Sequence, residues 1–313
     1  MKRAFALSVM VYFTVALTIM LAAFLFHGES WPPIFLSFML LVPLHLWKRK
    51  YTEKTELSKT LSGKSMGAVV GWTLALFLLA LTVRVPSALI FKMPYEKAPI
   101  IYLLTFTIVL VEETELTVFG FKTQKMAKAL LNGAVFFIIL QGTILFVHCT
   151  AVHALTGQAA ISFNFTLFLT VMPFHTLLVG ISEEGLFRGY IQTSIEPFGA
   201  LKAIFFQAVL FGLWHFVWNL SPFNPLGMLQ YITFSFLFGL LFGYFYSKTK
   251  NLVPLILVHG LWNSFQSGVI RNTEVLDKLA QTPFPTQILV WFLPYAIAVP
   301  AALAFTKYWV KEI

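Results

Sequence analysis

Ten apolar runs, joined mostly by short connections, leave this chain little with which to face water. They lie at about 5–26, 32–47, 67–90, 98–118, 130–152, 163–182, 201–219, 227–247, 252–270 and 286–307. A helix crossing a bilayer needs about 20 apolar residues, because each residue advances only about 1.5 Å. Hydrocarbon offers no partner for an open backbone group, so runs of this length are expected to be helices that satisfy their own N–H and C=O groups. Of 313 residues, 58% are hydrophobic and 11% are charged. A soluble domain carries about 25% charged residues. The expected class is therefore all-α, a polytopic membrane helix bundle of about ten transmembrane helices.

The net charge of +9 suggests nucleic acid only until the basic residues are placed. They cluster at the ends of apolar runs and form no continuous stripe, the pattern of topology determinants and lipid headgroup contacts. No nucleic-acid partner is expected. With the N-terminus inside, the extracytoplasmic segments hold only Arg84, Lys92, Lys97, Arg271 and Lys278 of the 22 Lys and Arg residues. That bias places both termini in the cytoplasm and favours an even number of spans. The run that follows Lys2 and Arg3 is longer than a signal-peptide core. It also ends without a small-residue cleavage site, so it reads as a retained first span. The single Cys149 excludes an intrachain disulfide and a thiolate cluster. The one substantial hydrophilic stretch divides the chain into an N-terminal transmembrane hairpin (1–50), a basic linker (51–65) and a remainder (66–313).

Charged and strongly polar residues inside spans are costly, which makes each one a functional candidate. Three clusters lie between positions 180 and 265. In Glu183-Glu184-Gly185-Leu186-Phe187-Arg188-Gly189, the Glu184 and Arg188 side chains are four apart with the acid first, the favourable order for a helical ion pair. Glu183 points about a quarter-turn away and is expected to lack that partner, leaving a carboxylate able to exchange protons. An interfacial helix end would explain the same residues. The second cluster is Phe211-Gly212-Leu213-Trp214-His215, with Asn219 beyond it. The third is His259-Gly260-Leu261-Trp262-Asn263, whose spacing places His259 and Asn263 on one face as two donors suited to an oxyanion. Interhelical packing is the plainer reading of both histidine clusters. Amide hydrolysis needs an activated water, a proton shuttle and oxyanion donors, and the three clusters offer one set for each task. Glu112, Glu113 and Glu115 are expected to be an interfacial helix end.

Glu-Glu-x-x-x-Arg at 183–188, Phe-x-x-x-His at 211–215 and His-x-x-x-Asn at 259–263 together resemble the ordered motifs of the type II CAAX prenyl endopeptidase family. That family, often called CPBP or ABI, includes bacteriocin-processing and bacteriocin-immunity proteins. Gly239, Gly243 and the run Lys250 to His259 are similar to its pattern, and Phe119-Gly120-Phe121 resembles a short element ahead of its core. The likeness covers about residues 165–270, within an expected eight-helix protease core. It implies that Glu183 and His215 activate water, that His259 and Asn263 stabilise the oxyanion, and that Glu184 with Arg188 supports the site. It also implies a membrane-anchored peptide or protein substrate, in a chain that looks bacterial. A non-catalytic immunity or peptide-binding protein on the same scaffold is the alternative. Zinc held by Glu183, His215 and His259 with an open fourth position is the metal alternative, although no His-Glu-x-x-His helix favours it. Oligomeric state is open.

Overall fold

The computed structural model describes residues 2–48, 61 and 63–312. Most of the basic linker expected at 51–65 lies outside the described residues. Eleven helices carry the described chain: α1 (Lys2–Leu25), α2 (Trp31–Lys48), α3 (Met66–Phe91), α4 (Lys97–Val111), α5 (Met126–Thr156), α6 (Phe165–Phe198), α7 (Ala200–Asn219), α8 (Pro225–Thr249), α9 (Val253–Gly268), α10 (Thr273–Ala280) and α11 (Phe284–Tyr308). Short 3₁₀ turns at Leu116–Phe119, Glu196–Phe198 and Phe216–Asn219 close individual helices or connections. The protein is an all-α integral membrane bundle.

Each of the ten apolar runs is realised as a helix, and among the described residues seven helices are both long and apolar enough to cross a membrane: α1, α3, α5, α6, α7, α8 and α11. Helices α2 and α4 are apolar but shorter. Helix α9 has 16 residues, about 24 Å of rise against a hydrocarbon core of about 30 Å. The run expected at 252–270 stops early because Val269-Ile270-Arg271 leaves the helix. It forms a strand, β2 (Val269–Arg271), antiparallel to β1 (Ile161–Phe163), with Phe163 opposite Val269 and Ile161 opposite Arg271. Gly268 ends the helix, and the β-branched Val269 and Ile270 suit an extended backbone. Asn164 and Asn272 follow the two strands and cap the next helices, accepting from Leu167 N at 2.9 Å and Val275 N at 3.4 Å.

The chain forms two compact units. One comprises Met1–Lys122 with Ile181–Leu252, and the other Thr123–Gly180 with Val253–Ile313. The first is built on a core of Tyr12, Leu76, Phe77, Leu103, Leu104, Leu186, Phe187, Tyr190, Phe211 and Trp214. In it α1 packs along α4, and the Tyr12 hydroxyl reaches the Leu79 and Ala80 carbonyls at 3.2 and 3.1 Å. Helices α7 and α8 pair closely because Gly239 lets Ala208 approach: a Cβ there would lie 2.8 Å from the Ala208 Cα. Gln207 Nε2 then donates to the Gly239 carbonyl at 2.7 Å, and Gln192 Nε2 to that of Gly243 at 2.9 Å. Gly120, at φ +85°, turns the chain after α4 and accepts from Leu252 N at 2.8 Å.

The second unit holds α5, the first part of α6, α9, both strands, α10 and α11. Its helices also meet at glycine. A Cβ on Gly260 would lie 2.6 Å from the Thr176 Cα, and one on Gly180 would lie 2.8 Å from the Ile256 carbonyl oxygen. Gly260→Ala is therefore expected to cost about 1–3 kcal/mol by forcing α9 away from α6. Thermal unfolding of the detergent-solubilised chain measures this, with Gly71→Ala as control, since no atom within 4 Å meets a Cβ added there.

Candidate active site

Helix α6 changes its winding around the acidic pair. Residues Phe174–Gly180 and Gly185–Gln192 run as wide π turns, with a single α turn, Ile181–Glu184, between them. Pro173 stands at the entrance to the first π stretch and cannot donate to the carbonyl four residues back, which loosens the ladder there. Gly185 and Gly189 bring the second stretch close to its neighbours. A Cβ on either would meet Phe121 Cζ at 2.8 Å or the Phe119 carbonyl at 3.0 Å. Wide turns of this kind often lie at functional sites because they redirect side chains out of the regular helical rows.

The two adjacent glutamates have different partners. Arg188 NH1 donates to Glu184 Oε1 at 3.1 Å, with both side chains fully buried. The guanidinium lies over Phe211 at 4.1 Å and near Phe242 at 5.4 Å, so aromatic faces replace part of its lost hydration. Glu183 is not the unpartnered carboxylate expected from local spacing. Lys97 Nζ donates to Glu183 Oε1 at 2.6 Å, and Trp214 Nε1 to the same oxygen at 3.1 Å. Arg84 NH1 stands 3.9 Å away. Lys97 Nζ is also 2.6 Å from Glu96 Oε1, and Arg84 NH1 is 2.5 Å from that same atom. Arg84 Nε donates to the Trp214 carbonyl at 2.8 Å, and its guanidinium covers the Trp214 ring at 4.1 Å. Two cations and two carboxylates are thus gathered in one place, none more than 4% exposed. That balance is what a buried charge cluster requires.

Arg84 and Lys97, expected to be extracytoplasmic topology charges, are instead buried ion-pair partners at 1% exposure each. The spacing of Glu183 held no sign of them, because Lys97 is 86 residues away in sequence. Two local signals existed. Arg84 stands inside an apolar run, the position that marks a functional candidate. Lys97 occupies the first turn of α4, where the helix dipole opposes a cation unless carboxylates are near.

His215 lies where α7 unwinds. The α-helical part ends at Leu213, and a 3₁₀ turn, Phe216–Asn219, follows. His215 Nδ1 sits 2.8 Å from the Phe211 carbonyl oxygen, one of the acceptors a helix end leaves over. A carbonyl only accepts, so Nδ1 carries the proton, and Nε2 is the acceptor in the neutral ring. Tyr231 meets the ring edge-on at 5.4 Å.

His259 and Asn263 belong to the second unit, on α9. His259 is 6% exposed and Asn263 half-buried, one helical turn apart. Beside them Ser264 Oγ donates to the Gly260 carbonyl at 2.7 Å and lies 3.2 Å from His175 Nδ1. Among the described residues no group of three or more His, Cys, Asp or Glu side chains is placed to hold a metal ion. Glu112 also departs from expectation. It is no interfacial helix end: its side chain is fully buried and accepts from the Tyr190 hydroxyl, which Trp72 Nε1 reaches at 2.6 Å.

Comparison with known proteins bears on this region alone. A family model described as type II CAAX prenyl endopeptidase Rce1-like matches residues 164–265. This domain begins at the asparagine that caps α6 and contains Glu183, Glu184, Arg188, His215, His259 and Asn263. Arg84, Glu96 and Lys97 lie outside it. No curated protein and no solved structure matches the chain at a significant level.

Loss of one partner from a buried ion pair leaves the other charge without its counter-ion. Arg188→Met is thus expected to cost about 3–5 kcal/mol of stability. The double variant Glu184→Gln with Arg188→Met should recover most of it, as thermal unfolding of the purified chain would record.

Proposed function

We propose that this protein is an intramembrane endopeptidase that hydrolyses a peptide bond of a membrane-anchored peptide or protein by glutamate-activated water. The observation that supports this most is the Glu183 carboxylate, buried inside the family-matched segment and held through one oxygen by Lys97 and Trp214. Keeping a carboxylate in a membrane interior is costly, and a functional task is the usual reason for it.

In the proposed reaction Glu183 takes a proton from water while the water oxygen attacks the scissile carbonyl carbon. The carbonyl π pair moves onto oxygen, for which His259 and Asn263 are the donors that the family likeness implies. His215 accepts from the same water through Nε2 and orients it. The C–N bond then breaks, and the proton held by Glu183 passes to the leaving nitrogen. Water is consumed, an acid and an amine are formed, and no covalent enzyme intermediate is needed. Glu184 and Arg188 keep the α6 turn in shape. The substrate class suggested by the family likeness is a peptide or protein cut near its C-terminus or at a transmembrane boundary.

We place the protein in a bacterial cytoplasmic membrane with both termini cytoplasmic. Once Arg84 and Lys97 are counted as internal ion-pair partners, the opposite side retains only Lys92, Arg271 and Lys278, which strengthens the charge bias.

Comparative membrane peptidomics of cells carrying the wild type or Glu183→Gln tests the reading. Uncut substrates should accumulate in the variant, with cleavage reduced by about 10²–10⁴-fold. His215→Ala should act in the same direction, and Asn263→Ala should cost about 10²–10³-fold. An unchanged peptide pool in Glu183→Gln would overturn the hydrolase reading.

A further inference from the structure

We propose that Lys97 is a positioning residue for the Glu183 carboxylate: it clamps Oε1 so that Oε2 is the oxygen that takes the proton from water. The proposal rests on the hydrolase reading above. It adds residues from outside the family-matched segment, and its basis is geometry.

Two donors converge on a single oxygen. Lys97 Nζ at 2.6 Å and Trp214 Nε1 at 3.1 Å both reach Glu183 Oε1. The terminal torsion of a glutamate is broad and weakly held by its own sterics. Rotation about it would break both contacts at once, so the pair fixes the carboxylate plane. The donors come from different helices, α4 and the end of α7, and the carboxylate itself from α6.

Lys97 is in turn held from behind. Its ammonium is 2.6 Å from Glu96 Oε1, the same atom that Arg84 NH1 reaches at 2.5 Å. Arg84 also holds the other donor, through the Trp214 carbonyl at 2.8 Å and the indole face at 4.1 Å. Trp214 directly precedes His215. One network therefore sets the orientation of Glu183 and the backbone turn that carries His215. Charge balance accounts for the number of cations, two for the Glu96 and Glu183 carboxylates. It does not account for an uncharged second donor, Trp214 Nε1, on the same Glu183 oxygen that Lys97 reaches.

In the reaction Lys97 neither gives nor receives a proton. The water proton goes to Glu183 Oε2 and later to the leaving nitrogen, while Lys97 remains an ammonium throughout.

The experiment compares four variants of the full chain: Lys97→Met, Lys97→Arg, Glu96→Gln with Lys97→Met, and Trp214→Phe. Cleavage is read on the membrane peptides that distinguish wild type from Glu183→Gln, and thermal unfolding is read on the purified chain in detergent. Lys97→Met should lose both stability and cleavage, because it leaves a surplus buried negative charge. The double variant restores the balance of one cation and one carboxylate. It should regain most of the melting temperature while cleavage stays about 100-fold down, the size of effect a misplaced catalytic group has. Lys97→Arg should retain part of the activity, since a guanidinium can reach both carboxylates. Trp214→Phe removes one uncharged donor and should reduce cleavage without loss of membrane accumulation. Wild-type cleavage by the charge-balanced double variant would overturn the proposal, leaving Lys97 a counter-ion only. Should that variant fail to accumulate, wild-type cleavage by Trp214→Phe would overturn it instead, and reduced cleavage would support it. Failure of the hydrolase reading is recognised separately, by Glu183→Gln leaving the peptide pool unchanged.

Discussion

Moving an ion from water into an apolar interior costs several kcal/mol even after the surroundings relax, and the first unit does so four times in one cluster. Arg84, Glu96, Lys97 and Glu183 are almost wholly buried, on α3, at the head of α4 and on α6. No pair of them would be tolerable if separated. Three contacts of 2.5 to 2.6 Å among them therefore tie three helices of that unit together more specifically than apolar packing can. Lipid tails are as apolar as leucine, so apolar contact alone drives helices together weakly in a membrane. The cluster supplies direction where the hydrophobic core supplies only contact.

Around that fixed point the unit is shaped by small residues and wide turns. Gly185 and Gly189 bring the second π stretch of α6 against Phe121 and the Phe119 carbonyl, while Gly239 brings α8 against α7. These approaches bury Arg188 between Phe211 and Phe242. The site is thus held by two kinds of constraint. Ion pairs set where the charged groups point, and glycines set how near the backbones come.

The parts of this architecture that were legible in the sequence are the parts governed by local rules. Apolar runs become helices because hydrocarbon permits little else, and Glu184 pairs with Arg188 because residues four apart share a helix face. What could not be read depends on chain segments far apart. Lys97 meets Glu183 across 86 residues, and no periodicity connects them. The π turns of α6 and the unwinding of α7 at His215 also escaped, since Phe216-Val217-Trp218 continues the apolar run without interruption. The strands β1 and β2 were missed for the same reason: hydropathy does not separate a short extended segment from the end of a helix. Glu112 was misplaced because its partner, Tyr190, is 78 residues on.

The adjacent glutamates illustrate what this difference in range accomplishes. Glu184 finds its cation one turn away on α6, so that pair can form as the helix forms. Glu183 finds Lys97 and Trp214 only when α4 and α7 have packed against α6. Two neighbouring carboxylates on one helical turn thus come under separate control, one by local geometry and the other by assembly of the unit. A group whose orientation is created by assembly is not preset in the isolated helix. In an apolar helix that carries an acid through a membrane, that order keeps the clamped Glu183 arrangement from existing before the unit that encloses it.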